Sequence, residues 1–146
     1  MKIWIVAVGR VKERGLREAI DDYVRRIGRY ESVEEVELKD APAAELTQRF
    51  DKRIPARSRV IALEVEGREV SSQGLAKLVD RAQQDAVGDL VFLIGGAYGL
   101  PPAVRKRAQI ELSLSKMTLP HRLARLFLAE QVYRAFTILR NEPYSH

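Results

Sequence analysis

Short runs of β-branched and other apolar residues alternate along this chain with segments of helical periodicity. The runs that are predicted to be strands cover residues 2–8, 33–38, 59–65, 90–94 and 110–114. Most of them are apolar at consecutive positions, which is typical of strands that are buried on both faces of a parallel sheet. We therefore expect an α/β fold with a mostly parallel sheet flanked by helices and right-handed crossovers.

The segments between these runs are predicted to be helices. Residues 15–30 place apolar side chains at spacings of three and four, and a segment that ends near residue 86 does the same after a capping serine, Ser71 or Ser72. Shorter helices are predicted over 41–50 and 102–108, and Pro120 opens a long helix that runs to about residue 140. We expect one domain over residues 1–146.

The residue counts exclude several classes of chemistry. The chain has no cysteine, which rules out disulfides, thiolate zinc ligands and a cysteine nucleophile. Its two histidines are His121 and His146, so we expect no metal site. No apolar run approaches the roughly 18 residues of a membrane-spanning helix, and the first run lacks the features of a signal peptide. We therefore expect a cytoplasmic protein without a membrane anchor.

The positive charge is concentrated in the last third of the chain. The net charge is +5, and residues 101–146 contain eight Lys and Arg against three Glu. A basic region favours a polyanionic partner such as nucleic acid. The alternative at this point is a positive balance that serves only solubility.

The last predicted helix is apolar around most of its circumference. One stripe consists of Ala124, Leu128, Val132, Ala135 and Leu139, and a second of Leu123, Leu126, Phe127 and Tyr133. Such a helix is buried on more than one side, and a short chain has little material to cover both. A homodimer covers one side with a second copy, and the alternative is a central helix in a monomer. Glu130 and Arg134 on this helix have the spacing of an ion pair.

Two segments are candidates for ligand binding. Run 90–94 leads into Gly95, Gly96 and Gly99, at the strand end where α/β sheets bind ligands. The spacing matches neither the dinucleotide fingerprint nor the phosphate-binding loop, so a plain glycine turn is the alternative. Residues 112–120 mix hydroxyl and apolar side chains before a helix, which suits either an adenine-binding segment or a simple connection.

Two side chains near the ends of the last helix carry further chemistry. His121 lies in its first turn, where the positive end of the helix dipole disfavours protonation of the imidazole. A neutral imidazole there binds phosphate or shuttles a proton, unless it is structural. Tyr144 lies in the polar tail and is a side chain that stacks on nucleobases, although chain ends are often frayed.

Taken together, these segments resemble one family over essentially the whole chain. They are similar to the ribosomal RNA large-subunit methyltransferase H family, SPOUT-class enzymes that methylate N3 of a pseudouridine in 23S rRNA. The motifs that carry the resemblance are Val6-Ala7-Val8-Gly9, Leu93-Ile94-Gly95-Gly96 with Gly99-Leu100, Leu112-Ser113-Leu114-Ser115, Met117-Thr118-Leu119-Pro120-His121, Ala129-Glu130-Gln131-Val132-Tyr133-Arg134-Ala135, and Asn141-x-Pro143-Tyr144.

The resemblance implies a SPOUT-type α/β knot, in which the carboxyl-terminal part forms a trefoil knot, and a homodimer whose active site draws on both chains. It implies S-adenosylmethionine as cofactor, and the expected reaction needs no metal. The cofactor-binding residues by resemblance are Leu63 at the end of the third long strand, Gly95, Gly96, Leu114, Ser115, Lys116, Met117, Thr118 and Leu119. The catalytic residues by resemblance are His121, Arg134 and Tyr144, with Glu130 beside them on the target side.

The tail departs from the family pattern. A histidine usually follows Pro-Tyr in the family, whereas this chain has Ser145 there and His146 one place later. The departure leaves open whether His146 takes over the role of that histidine.

The resemblance also implies 23S rRNA in the large subunit or the assembled ribosome as the substrate. About half of five basic side chains are expected to contact phosphates, namely Arg105, Lys106, Arg107, Arg122 and Arg125. One alternative is a non-catalytic ribosome-associated RNA-binding protein, which need not bind S-adenosylmethionine. Another is a SPOUT methyltransferase for tRNA or a plain uridine, which usually carries an extra RNA-binding segment.

Overall fold

Five parallel strands form one sheet in the computed structural model of the chain, which describes residues 1–144. The strand order is β2-β1-β4-β3-β5, so β1 and β4 lie at the centre. The strands are β1 (Lys2–Val8), β2 (Ser32–Leu38), β3 (Arg59–Glu69), β4 (Asp89–Ile94) and β5 (Ile110–Ser113). The sheet confirms the predicted parallel α/β fold, and each strand overlaps a predicted run.

Helices cover both faces of this sheet. They are α1 (Arg14–Ile27), α2 (Ala43–Arg53), α3 (Ser72–Gln84), α4 (Pro102–Arg105) and α5 (His121–Leu139). The Ser71 hydroxyl accepts a 3.0 Å hydrogen bond from the Gly74 amide and caps α3, as predicted. The predicted helix over 102–108 is only the single turn α4. Within residues 1–144 no helix has the length and apolar character needed to cross a bilayer.

The two faces of the sheet have separate apolar cores. Side chains of α3 and α5, with Ile27 of α1, pack on the face that carries Ile3 and Ile5. Side chains of α2 and α4 pack on the opposite face, which carries Val6 and Val8. The central strands are therefore buried on both faces, which is the physical reason for their unbroken apolar sequence.

Strand β3 differs from the prediction because it is longer. It continues to Glu69, and its pairing with β5 is irregular between Leu63 and Arg68. At Gly67 the backbone of Glu111 comes so close that a Cβ would lie 2.8 Å from its carbonyl carbon. Leu63 therefore lies at this irregularity within the strand rather than at the strand end.

Helix α5 buries most of the first predicted stripe, although Leu139 at its end is only partly buried. Leu128, Val132 and Ala135 have no exposed surface. On the second stripe Leu123 is 39% and Phe127 40% exposed. In one copy of the chain, this second face of α5 is thus only partly covered.

Candidate functional site

A cleft of about 220 Å³ opens at the carboxyl edge of the sheet, beside the glycine loop that follows β4. Its walls come from the middle of β3, this loop, the connection before α5 and the first turn of α5. Lys116 does not line the cleft and is 85% exposed, 3.8 Å from Glu69. The other eight predicted cofactor residues line it, namely Leu63, Gly95, Gly96, Leu114, Ser115, Met117, Thr118 and Leu119.

The glycine loop forms its wall of the cleft with backbone rather than side chains. A Cβ on Gly95 would lie 2.5 Å from the Gly99 carbonyl carbon, so no side chain fits there. Gly99 has φ +78° and its amide donates a 3.0 Å hydrogen bond to the Gly96 carbonyl. This tight turn permits a ligand to approach the main chain closely.

The connection before α5 is held by its own serines. The Ser113 hydroxyl donates a 3.0 Å hydrogen bond to the Ser115 carbonyl. The Ser115 hydroxyl in turn accepts a 3.0 Å hydrogen bond from the Met117 amide. These bonds fix the bend that presents Leu114 and Leu119 as apolar walls of the cleft.

His121 lines the cleft as a neutral imidazole. Burial lowers its pKa, and the positive charges of Arg125 and Arg122 lower it further. Burial is the largest cause of the lowered pKa, and this direction agrees with the expectation that protonation is disfavoured. Its Nδ1 atom is buried and has no hydrogen-bond partner among the described residues.

Glu64 is a second polar residue of the cleft that the sequence did not single out. Its Oε1 atom is buried and has no hydrogen-bond partner in the described part of the chain. Arg105 Nε lies 3.3 Å away but donates its one N–H to Glu111. Burial raises the pKa of Glu64. Residues 59–65 are predicted only as a strand of the sheet, and this prediction contains no signal of a carboxylate in the cleft.

The residues of the cleft fit a methyl donor built on adenosine. Apolar side chains flank a backbone wall, which suits a flat ring. The two orphaned buried atoms, Glu64 Oε1 and His121 Nδ1, are compatible with a polar ligand. Among residues 1–144 no group of three or more Asp, Glu or His side chains is placed to hold a metal ion.

A second cluster lies near the other end of α5. Arg134 and Glu130 form the predicted ion pair, with 2.9 Å between Nη2 and Oε2. The Arg134 guanidinium lies 4.7 Å from the centre of the Tyr144 ring. The Tyr144 hydroxyl is 3.2 Å from that of Tyr23 and 3.3 Å from Glu130 Oε2. Tyr23 lies on α1, and no local pattern in the sequence indicates its contact with the tail.

The electrostatics of this cluster keep Tyr144 and Arg134 in their ordinary protonation states. Burial, the Tyr23 hydroxyl and the charge of Glu130 raise the pKa of Tyr144. The hydrogen bond to Glu130 raises the pKa of Arg134. Tyr144 is therefore a neutral phenol, and Arg134 is a fixed cation.

The three predicted catalytic residues do not meet within one chain. His121 and Arg134 are thirteen positions apart on the same helix, which is about 20 Å of helix length. His121 belongs to the cleft, and Tyr144 belongs with Arg134 to the distal cluster. The exposed side chains Leu123 and Phe127 lie between the two on α5.

The prediction that Arg125 contacts phosphate is wrong. Its side chain has no exposed surface, and it donates hydrogen bonds to Glu35, to Glu37 at 2.7 Å and to the Gly9 carbonyl at 3.0 Å. The reason is that parallel pairing of β1 and β2 places two carboxylates under α5.

The other predicted phosphate contacts remain at the surface. Arg105, Arg107 and Arg122 each lie in an ion pair with a nearby carboxylate. Lys106 is exposed. Ser145 and His146, on which the departure in the tail rests, lie outside the described residues.

Known proteins resemble this chain over its full length. The family model described as "Predicted SPOUT methyltransferase" matches residues 1–146. The chain is 48% identical over 146 residues to "Ribosomal RNA large subunit methyltransferase H" of Sorangium cellulosum (strain So ce56), with 100% of both chains covered. It is also 48% identical over 153 residues to the protein of that name from Syntrophotalea carbinolica, with 99% of this chain and 98% of the relative covered.

A solved structure shares the fold. It is described as "a probable methylase family protein from Haemophilus influenzae Rd KW20" and superposes with a TM-score of 0.58. The match covers 95% of this chain and 66% of that chain at 14% sequence identity, so it supports the architecture alone.

Proposed function

Because the chain belongs to the SPOUT methyltransferase family, we propose that it methylates N3 of a pseudouridine in 23S rRNA, with S-adenosylmethionine as the donor. One observation carries the proposal: residues from three separate segments, predicted to bind this cofactor, converge on one cleft. The names of the relatives support ribosomal RNA as the substrate class. The proposed substrate is the large subunit or the assembled ribosome in the cytoplasm, and the proposed reaction uses no metal.

The cleft residues position the cofactor. The backbone at Gly95 and Gly96 and the apolar side chains of Leu63, Leu114 and Leu119 hold it. Bound there, S-adenosylmethionine would supply the methyl group for transfer to N3. Positioning of this kind supplies much of the rate advantage in a displacement that needs no covalent help from the protein.

The N3 proton and the developing charge need groups of the chain's own. The neutral imidazole of His121 accepts the proton or contacts a phosphate, and its lowered pKa keeps it available near pH 7. The fixed cation of Arg134 stabilises negative charge on the two carbonyls that flank N3. Tyr144 packs on the base or donates a hydrogen bond to it.

These roles require a homodimer. The helix separates His121 from Arg134 by about 20 Å, which is more than the size of one nucleobase. The two side chains of one chain therefore cannot both contact the same base. A second copy packed on the exposed α5 face, antiparallel to the first, brings its Arg134 and Tyr144 to this cleft. The partly exposed Leu123 and Phe127 supply apolar surface for such an interface. The trefoil knot stays a prediction from the family.

Mass mapping of 23S rRNA tests the proposed function. Ribosomes from a strain that lacks this modification are incubated with the protein and S-adenosylmethionine, and we expect one methyl group on one pseudouridine. Methylation of added tRNA or of a plain uridine instead would contradict the proposed substrate. Calorimetry with S-adenosylmethionine separates the remaining alternative, because a non-catalytic RNA-binding protein need not bind it.

A further inference from the structure

A second cavity lies on the other side of the glycine loop from the cofactor cleft. Its volume is about 580 Å³, and Gly96 and Gly99 line both spaces. Leu46 and Leu100 are buried side chains in its lining, and Pro42 and Pro101 are flat apolar parts of its wall. The turn that contacts the cofactor in the proposed function is thus the partition between two sites.

Tyr98 is placed at the tip of this partition. It is 97% exposed, although it is a large aromatic side chain, and it lines the second cavity. Exposed aromatic rings beside a groove are the platforms on which single-stranded nucleic acids stack their bases. The position next to the methyl-transfer site makes the ring accessible to nucleotides that flank the target.

Three exposed basic side chains without a carboxylate partner in the described part of the chain follow the carboxyl ends of β1 and β2, outside the basic last third of the chain. Arg10 follows Gly9, which touches His121, and Lys39 precedes Asp40, which lines the second cavity. Arg10, Lys12 and Lys39 are exposed, and no carboxylate of residues 1–144 forms an ion pair with any of them. Four of the five predicted phosphate contacts, in contrast, are in ion pairs.

Asp40 makes the cavity suited to a base rather than to a phosphate. Its Oδ1 atom accepts a 2.8 Å hydrogen bond from the Ala41 amide. The other carboxylate oxygen is an acceptor for an N–H of a nucleobase, whereas its negative charge repels a phosphate. These charges favour a base inside the cavity and the RNA phosphates outside it, at Arg10 and Lys39.

We propose that the cavity behind Tyr98 binds an unpaired nucleotide of the RNA next to the modified one, with its base stacked on Tyr98 and its phosphates at Arg10 and Lys39. The proposal rests on the proposed function, since the RNA substrate comes from it. It assigns RNA recognition to the carboxyl ends of β1 and β2, away from the basic last third.

The test compares two sets of variants. Tyr98→Ala removes the ring, and Tyr98→Phe keeps it; the residue is exposed, so both proteins are expected to fold. Arg10→Ala with Lys39→Ala removes the proposed phosphate contacts. Arg53→Ala with Lys52→Ala is the matched control, because it removes one Arg and one Lys at the opposite end of α2. Each protein is assayed for kcat, for KM towards unmodified ribosomes and for S-adenosylmethionine affinity.

We expect Tyr98→Ala to raise the KM for ribosomes by about 5- to 100-fold, with kcat and cofactor affinity unchanged. Tyr98→Phe is expected to match the wild type. The Arg10 and Lys39 double variant is expected to flatten the slope of log affinity against log salt by about 1.4, since each single-strand phosphate contact contributes about 0.7. The control is expected to keep the wild-type slope.

Two outcomes separate this proposal from the proposed function. If the wild type methylates ribosomes and Tyr98→Ala has the wild-type KM, the stacking proposal is overturned and the function stands. If the wild type methylates no ribosomal RNA, the proposed function fails, and the RNA-binding role of this surface is tested by the affinity for a fluorescent hairpin RNA with an unpaired loop. In that case the proposal is overturned if wild type and Tyr98→Ala bind the hairpin equally well. It is also overturned if the wild type binds a blunt duplex as tightly as the hairpin.

Discussion

Gly9 and His121 are packed so closely that a Cβ placed on Gly9 would lie 2.8 Å from His121 Cε1. Gly9 also has φ +100°, a backbone conformation that side chains of L-residues rarely adopt. The end of β1 and the first turn of α5 are therefore fitted together at a residue without a side chain. The position of the imidazole in the cleft depends on that fit.

Gly9→Ala is expected to destabilise the protein by about 1–3 kcal/mol, because it combines a strained φ with a clash against a ring. The displaced imidazole also lowers the affinity for S-adenosylmethionine. Denaturant unfolding and calorimetry measure the two effects. Gly15→Ala is the matched control, since nothing lies within 4 Å of its Cβ position. An equal loss of stability in both variants would contradict the proposed fit.

Arg125 is expected to be the most sensitive of the basic residues in the last third. Arg125→Ala leaves the charges of Glu35 and Glu37 beneath α5 without their buried partner, which costs about 3–5 kcal/mol of unfolding free energy. Arg122→Ala removes an exposed pair with Glu13 and is expected to cost less than about 1 kcal/mol. Denaturant unfolding of both variants is the measurement, and similar losses would contradict the buried network.

The contrast between these two arginines marks the limit of prediction from the sequence. The strands were predictable because burial on both faces requires unbroken apolar runs. The burial of Arg125 was not, because its partners Glu35 and Glu37 lie about 90 positions earlier and meet it only through the pairing of β1 with β2. Charge counts treat a buried and an exposed arginine alike, so the basic last third overstated the surface free to bind RNA.

The candidate site shows the same limit. The segments that line the cleft could be predicted from the resemblance to the family, although they lie far apart in the chain and meet only at the carboxyl edge of the sheet. The position of Glu64 could not be predicted. Its Oε1 atom has no hydrogen-bond donor among residues 1–144 because Arg105 donates to Glu111 instead, and this follows only from the three-dimensional arrangement. The contact between Tyr23 and Tyr144 joins α1 to the tail across 121 positions, and no local pattern encodes it.

Folding stability is expected to depend on pH through His121. The pKa of His121 lies below its ordinary value of 6.5, so the unfolded chain binds more protons than the folded chain between the two values. The contribution of the neutral imidazole to the free energy of unfolding is therefore complete above pH 6.5 and is lost as the pH falls towards the folded-state pKa. Arg125, Arg122, Glu13 and Glu37 are the charged groups that act on the imidazole.

His121→Gln removes this titration and keeps a polar side chain. The difference in unfolding free energy between wild type and variant is expected to shrink or reverse from pH 7.5 to about pH 5. Denaturant unfolding at several pH values measures it, and the difference cancels the titration of carboxylates common to both proteins. A difference that does not change with pH would show that the imidazole titrates alike in the folded and unfolded chains.

A catalytic site shared between two chains has a distinctive consequence when two inactive variants are mixed. Ala97→Trp blocks the cleft from an exposed position, and Arg134→Ala removes the cation of the distal cluster. In a mixed dimer, one site receives both defects, whereas the other combines an intact cleft with an intact Arg134. Co-refolding of equal amounts is therefore expected to restore about a quarter of wild-type activity, because half of the dimers are mixed and each has one working site. Each variant refolded alone is the control and is expected to stay inactive.

Calorimetry first establishes that Ala97→Trp has lost S-adenosylmethionine binding and that Arg134→Ala has kept it. If the mixture stays as inactive as its components while size-exclusion chromatography shows dimers, the cleft and Arg134 act within one chain, and the antiparallel arrangement of α5 is wrong.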